Sequence, residues 1–417
     1  VSGADKRRLL VLGLPTFGMA LSITTISTYL PVLASGNEAS ATEIGIIIGN
    51  EGLMALWLPL VAGRWSDRIR TPLGGRLPFV IAGTPVMIAC LCAAGFVKST
   101  LTLAVLVAVF FAGYFVAYEP YRALYPDLID DEMAGRSQST QAAWRGVGTG
   151  IALASGGALL SVALFLPFVL DAALLALSVG VFAWRLVSRR EREEGGVEER
   201  DDEPLSGAFA RVFELLREHP ALRMFVLANA LWELALGAVK TFVVLYVTKG
   251  LGYSLGQASL IVGAVAVLIL GGALASGFLA DRFGKLRVTE IALWVYGLSM
   301  LVPGLTTVPL LIVAALPFVA IGGGTIMSLP YSLLMPLMPE DEHGLLSGLY
   351  SMSRGIGVML GPLLAGIAIE LGEPLFSSTE GYAAAWWVAG AAILLSLAPL
   401  RRLRADSADR RSLVSAA

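Results

Sequence analysis

Eight ionisable residues stand inside stretches otherwise apolar enough for hydrocarbon: Glu51, Glu119, Asp171 and Glu233 against Arg122, Arg145, Lys240 and Arg354. At the centre of a lipid-facing helix each would cost roughly 2.5–3.5 kcal/mol, so they are expected to face a protein interior and to pair there. Glu119 and Arg122 are the sharpest case. They flank Pro120 in "AYEPYRALYPDL" (117–128), and a spacing of three puts both on one helix face. Pro120 withholds a backbone N–H and can bend the helix. Such a pair suits coupled chemistry: a solute that draws Arg122 away leaves Glu119 to accept a proton in its place. The plainer alternative is snorkelling, with Arg122 reaching for the headgroups.

Further along, Asn229, Glu233 and Lys240 recur at spacings of four and seven and form one polar stripe, with Trp232 beside it. The stripe either faces a solute cavity or makes a stabilising contact with itself or a neighbouring helix. Glu51 follows Asn50 and is either an ion site or the partner of an arginine. Tyr29, Tyr114, Tyr118, Trp144, Trp232 and Tyr331 can stack on a sugar ring, although Trp and Tyr also gather at membrane interfaces. Asp171 has no recognisable context and is assigned no role.

These residues need helices that cross a bilayer. The 417 residues are 56% hydrophobic and 15% charged, with a mean hydropathy of +0.75, whereas a soluble chain carries about 25% charged residues. Apolar runs of about 20 residues recur, each long enough to span as a helix. We place twelve spans, numbered in order, at residues 9–33, 43–62, 77–97, 101–125, 139–160, 163–187, 222–247, 256–279, 287–306, 309–335, 346–369 and 382–400. The expected fold is all-α, with a six-helix bundle over 1–187, a charged cytoplasmic linker over 188–221, a second bundle over 222–400 and a tail over 401–417. Residues 205–217 of the linker are expected to form an amphipathic surface helix. The first run is too long for a signal-peptide core and reads as a retained span. By our count about 24 of the 30 Lys and Arg lie in alternate loops, the linker and both tails, which predicts cytoplasmic termini.

A net charge of −2 gives no reason to expect a nucleic-acid partner. Cys90 and Cys92 build no disulfide framework, and His219 and His343 sit in no metal constellation. No nucleophile–base pair is apparent, so neither an enzyme nor a cofactor is expected.

The two halves repeat each other. "GRWSDR" (63–68) and "GFLADR" (277–282) follow spans 2 and 8. "PYRALYPDLIDDE" (120–132) aligns with "PYSLLMPLMPEDE" (330–342), and "RGVG" (145–148) with "RGIG" (354–357). The twin of the first motif keeps Pro330, Tyr331 and Pro336 but has Leu329 and Ser332 where Glu119 and Arg122 stand, so the charges belong to one half only. Two repeated six-helix halves are a transporter arrangement.

On these residues the chain resembles the major facilitator superfamily, whose loop signature G-x-x-x-D-R appears after spans 2 and 8. The resemblance implies a gating role for Asp67, Arg68, Asp281 and Arg282. Glycine would let helix ends approach closely, and the aspartates would meet helix N-termini. Repeat-related Arg145 and Arg354 fit gating or structure, with binding of an anionic solute as the alternative. "WSDRIRTPLGGRLPFVIAG" (65–83) and "PYRALYPDL" (120–128) further resemble the glycoside–pentoside–hexuronide symporters and the sucrose–proton carriers. That likeness implies a sugar and proton role for Arg122. Phe111 replaces the proton-accepting aspartate of the sucrose carriers, and Met54 and Leu58 replace the sodium-binding aspartates of the melibiose-type carriers. "MLGPLLAG" (359–366) is similar to a glycine–proline motif of drug antiporters, for which close helix packing is a sufficient reason.

The resulting expectation is a monomeric secondary transporter in the cell membrane. It would move a small polar solute, a sugar or glycoside first, by alternating access in proton-coupled import, with sodium as the less favoured ion. The alternatives are proton-driven efflux of an amphipathic compound or metabolite, and a non-transporting receptor or lipid-handling protein.

Overall fold

The computed structural model describes residues 3–69, 71, 73–129, 133–189, 211, 214–337 and 343–404. Apart from one isolated bridge between Thr71 and Gly74, the regular structure there is helical. In span order the helices are Gly3–Gly36; Ala41–Ala55 with Leu58–Arg68; Leu77–Ala94; Thr100–Asp127; Ala134–Val162; Leu166–Arg189; Pro220–Leu245; Leu255–Phe283; Lys285–Leu305; Pro309–Ser328 with Pro330–Leu334; His343–Gly372; and Ala384–Leu395.

Among the described residues, eleven helices are long and apolar enough to cross a membrane. Span 5 is the one outside that set. Its length suffices, but glycines, serines and threonines lower its hydropathy. Those small residues serve packing instead. A Cβ on Gly148 would strike the Phe17 carbonyl of span 1, and one on Gly156 would strike the Tyr29 ring.

Three local features depart from simple spans. Span 2 breaks at Leu56 and Trp57, because Pro59 has no N–H to offer the Ala55 carbonyl. Span 7 ends in a π-helical turn, Tyr246–Gly250. Span 4, by contrast, stays helical through Pro120. The expected surface helix at 205–217 lies mostly outside the described residues; within it, 211 and 214–217 are helical.

The chain divides into two compact units. One comprises Val1–Ala39, Met54–Arg200 and Tyr253–Gly263; the other comprises Ser40–Leu53, Asp201–Gly252 and Ala264–Ala417. The units therefore do not follow the sequence halves. The start of span 2 packs in the second unit, where a Cβ on Gly45 or Gly52 would strike the backbone of Pro362 or Met359 in span 11, and the Thr42 N–H donates to Glu370 at 2.8 Å. The start of span 8 packs in the first unit, where Ser259 accepts the Gly157 N–H at 2.6 Å.

Each unit repeats one polar clamp. Arg76, just before span 3, donates to the Ala123 carbonyl of span 4. Lys285, opening span 9, donates to the Ser332 carbonyl of the span 10 segment at 3.4 Å. Both acceptors lie in the duplicated proline–tyrosine motif.

Candidate functional site

In the first unit, span 4 sets Tyr114, Tyr118 and Arg122 on one face through spacings of four. The Tyr114 and Tyr118 rings stack at 4.9 Å and 19°. Arg122 and Arg145 each place their guanidinium carbon 5.7 Å from the Tyr118 ring centre, within cation–π reach. Arg145, arriving from span 5, also donates to the Tyr118 hydroxyl. Arg122 Nη1 lies 3.5 Å from Glu119 Oε2, with side-chain exposures of 51% and 21%. Span 4 and span 5 thus deliver two guanidiniums and one carboxylate around one buried tyrosine. An arginine fork is built to take a carboxylate or phosphate through two parallel N–H bonds.

In the second unit the stripe on span 7 meets partners on spans 2 and 11. Asn229 is buried and donates to Ser353 Oγ at 2.8 Å. Glu233 Oε2 lies 3.5 Å from Arg354 Nε. Lys240 Nζ lies 3.4 Å from Glu51 Oε2. The stripe is therefore a polar seam joining three helices. Helix contact explains its small neighbours, since a Cβ on Gly357 would strike the Ala230 carbonyl and one on Gly361 the Leu234 carbonyl.

The remaining expected residues are placed as follows. Trp232 points away from the seam into the second unit's core, 1% exposed, and donates to Ser396 Oγ at 2.8 Å. That corrects its expected place at a solute site: an indole turned into the core leaves no face for a ligand. Tyr29, Tyr114 and Tyr118 are likewise buried. Tyr331 is 47% exposed and meets the Tyr350 ring edge-on at 5.8 Å. Trp144 is half-buried, lies against Phe17 and donates to the Leu10 carbonyl at 3.0 Å. Asn50 spends its amide on the Ile46 and Ile47 carbonyls of its own helix.

At the loop signatures, Arg68 and Arg282 each occupy the last turn of a helix, where a cation suits the helix dipole. Arg282 also lies 5.3 Å over the Phe283 ring. Asp281 is exposed, and the Asp67 side chain lies outside the described residues. The expected close approach at the signature glycines is not made: a Cβ on Gly63 or Gly277 meets nothing within 4 Å. Trp65 and Phe278 beside them are exposed.

Sequence reasoning missed Ser353, a hydroxyl that looks ordinary in a glycine- and serine-containing helix, and Ser396, a lone serine hydroxyl in an apolar span. Ser353 precedes Arg354, and its adjacency to a span charge was the available signal.

Comparison with known families decides what kind of protein holds these clusters. The family described as Major Facilitator Superfamily matches residues 12–285 and 225–414. The chain belongs to this superfamily. It is a multi-pass membrane transporter and not an enzyme. Dipeptide and tripeptide permease B of Salmonella typhimurium is 29% identical over 189 residues, 44% of this chain and 37% of the permease. The permease B of Edwardsiella piscicida is 28% identical over 172 residues, 40% of this chain and 33% of the permease. The chain thus aligns with only about a third of the length of these curated relatives. Among solved structures, a bacterial homolog of the human lysosomal transporter Spinster superposes with a TM-score of 0.78 at 16% identity, covering 97% of this chain and 98% of that one. The nucleoside transporter NupG gives 0.74 at 15% identity, covering 95% and 98%. These structures share the facilitator fold with this chain.

Proposed function

We propose that this facilitator moves a small polar solute bearing an anionic group, held by Arg122 and Arg145 across the Tyr118 ring. The observation carrying this reading is the pair of guanidiniums at 5.7 Å from one tyrosine ring, with Arg122 half exposed although it lies in an apolar span. The ring keeps together two cations that would otherwise repel. Glu119 holds Arg122 loosely and yields it to a competing carboxylate. A short peptide supplies such a carboxylate, and the two permease relatives support it as the first class to test. The favoured mode is proton-coupled import by a monomer with both termini in the cytoplasm, an orientation supported by the distribution of Lys and Arg.

A sugar or glycoside is the second reading. It is supported by the likeness at 65–83 and 120–128 and by the exposed ring of Tyr331.

The test is a thermal-shift screen of purified protein against dipeptides, tripeptides, other carboxylates, sugars and glycosides, followed by counterflow in proteoliposomes. A carboxylate-bearing ligand should stabilise the protein and exchange, and Arg122→Ala and Arg145→Ala should abolish both effects. Sugar exchange without any response to an anionic solute would overturn the reading.

A further inference from the structure

Asp171 belongs to neither cluster. It lies on span 6 in the first unit, 5% exposed, and its Oδ2 has no hydrogen-bond partner among the described residues. Its carboxyl is bonded by the side chain of Thr25 on span 1. Thr28 is 1% exposed, and its Oγ1 is also without a partner among the described residues. A spacing of three puts Thr25 and Thr28 on one face of span 1. Spans 1 and 6 run antiparallel, pinned where a Cβ on Gly18 would strike Ser178 and Leu175. With Thr25 opposite Asp171, that register brings Thr28 within about a turn of the carboxylate.

Among the described residues, no fixed cation answers Asp171 from the elements packed on span 6, which are spans 1, 3 and 5. Between Leu9 and Gly36, span 1 has only Tyr29 as a titratable group, and its hydroxyl is engaged by the Leu153 carbonyl and Ser259. Lys6, Arg7 and Arg8 stand at the opposite end of that span. Span 3 offers only Cys90 and Cys92. Arg136 and Arg145 of span 5 lie in its N-terminal half; the Thr24–Thr149 and Tyr29–Leu153 bonds set the level of Thr25 about one to two turns beyond Arg145, whose guanidinium is turned to the Tyr118 hydroxyl of span 4. On span 6 itself Arg185 is about 21 Å of helix away. A bare carboxylate in apolar surroundings is neutralised by something that binds it.

We propose that Asp171, Thr25 and Thr28 form a binding site for one small monovalent cation, a proton or Na+, inside the first unit. The donors are all oxygens, the ligands that hard cations take. Bound Na+ would be ligated by the carboxylate and both hydroxyls. A bound proton would neutralise the carboxylate at Oδ2, the oxygen left without a partner among the described residues. Bound Na+ would satisfy both orphaned oxygens at once, a bound proton would discharge the carboxylate, and the site stands whichever solute the protein carries.

The test uses the full chain purified in detergent. The unfolding midpoint is measured with NaCl or choline chloride at equal ionic strength, from acid to neutral pH, for wild type, Asp171→Asn and Thr28→Val. If the ion is Na+, NaCl raises the wild-type midpoint by several degrees where choline does not. Asp171→Asn then loses that rise, and Thr28→Val needs more Na+ to reach it. If the ion is a proton, the wild-type midpoint depends on pH but not on Na+. Asp171→Asn then loses part of that dependence, and Thr28→Val shifts its midpoint pH. Should Asp171→Asn fail to fold, the Thr28→Val shift carries the test alone. A wild type indifferent to both ions, or variants that keep the full wild-type response, would overturn the proposal.

Discussion

Lys240 Nζ lies 3.4 Å from Glu51 Oε2, and the pair is unequally wet: the Glu51 side chain is 7% exposed and the Lys240 side chain 36%. Truncating Lys240 leaves a buried carboxylate with less compensation. Truncating Glu51 leaves an ammonium that can turn toward water. We expect Lys240→Met to lose about 1–3 kcal/mol of stability. Glu51→Gln should lose less, and the double variant should recover part of the Lys240→Met loss. Denaturant unfolding in detergent measures all three, and equal losses for the two single variants would refute the asymmetry.

Glu119 competes with solute for Arg122. Their separation is 3.5 Å and the arginine is half exposed, so the pair holds weakly, at about 1 kcal/mol or less. Glu119→Gln should therefore tighten binding of an anionic ligand by up to about fivefold. Calorimetric titration reads the change directly. An unaltered or weakened affinity would remove Glu119 from the binding cycle.

Trp232 tests whether an aromatic beside a charged stripe is site or core. Its indole N–H bonds Ser396 at 2.8 Å within the packed interior of the second unit. Trp232→Ala should cost about 3–5 kcal/mol. Trp232→Phe should cost about 1–3 kcal/mol through the lost bond. Neither should change KM for transport in protein that survives. A raised KM in the stable Phe variant would return Trp232 to a solute site.

The spans were legible because hydrocarbon thickness demands about 20 apolar residues per helix. Only span 5 falls short on hydropathy, and its Gly148, Gly156 and Gly157 admit neighbours that a Cβ would strike. The intramembrane charges were legible as costs that require partners, but the partners were not. Glu51 meets Lys240 across 189 positions of sequence, a distance no local spacing encodes. The spacing of Asn229, Glu233 and Lys240 did place them on one face. It could not say that Ser353, Arg354 and Glu51 face them. The Asp171 site had a readable signal in the polar run "SITTIST" (22–28), which span 1 has no hydropathic reason to contain.

Gly361 and Gly180 separate packing from helix propensity. A Cβ on Gly361 would fall on the Leu234 carbonyl and approach the Ala238 nitrogen at 3.0 Å, whereas one on Gly180 meets nothing within 4 Å. Backbone cannot yield as a side-chain tip can, so Gly361→Ala must push spans 7 and 11 apart and should cost about 1–3 kcal/mol. The same displacement would stretch the Glu233–Arg354 and Asn229–Ser353 contacts, which join the same two helices. Gly180→Ala adds a methyl in open space and should be neutral or gain about 0.5–1 kcal/mol. Unfolding midpoints of the two variants in one detergent check the contrast. If Gly361→Ala is as stable as wild type, the glycine–proline stretch of span 11 does not serve close packing, and its likeness to the antiporter motif would need another cause.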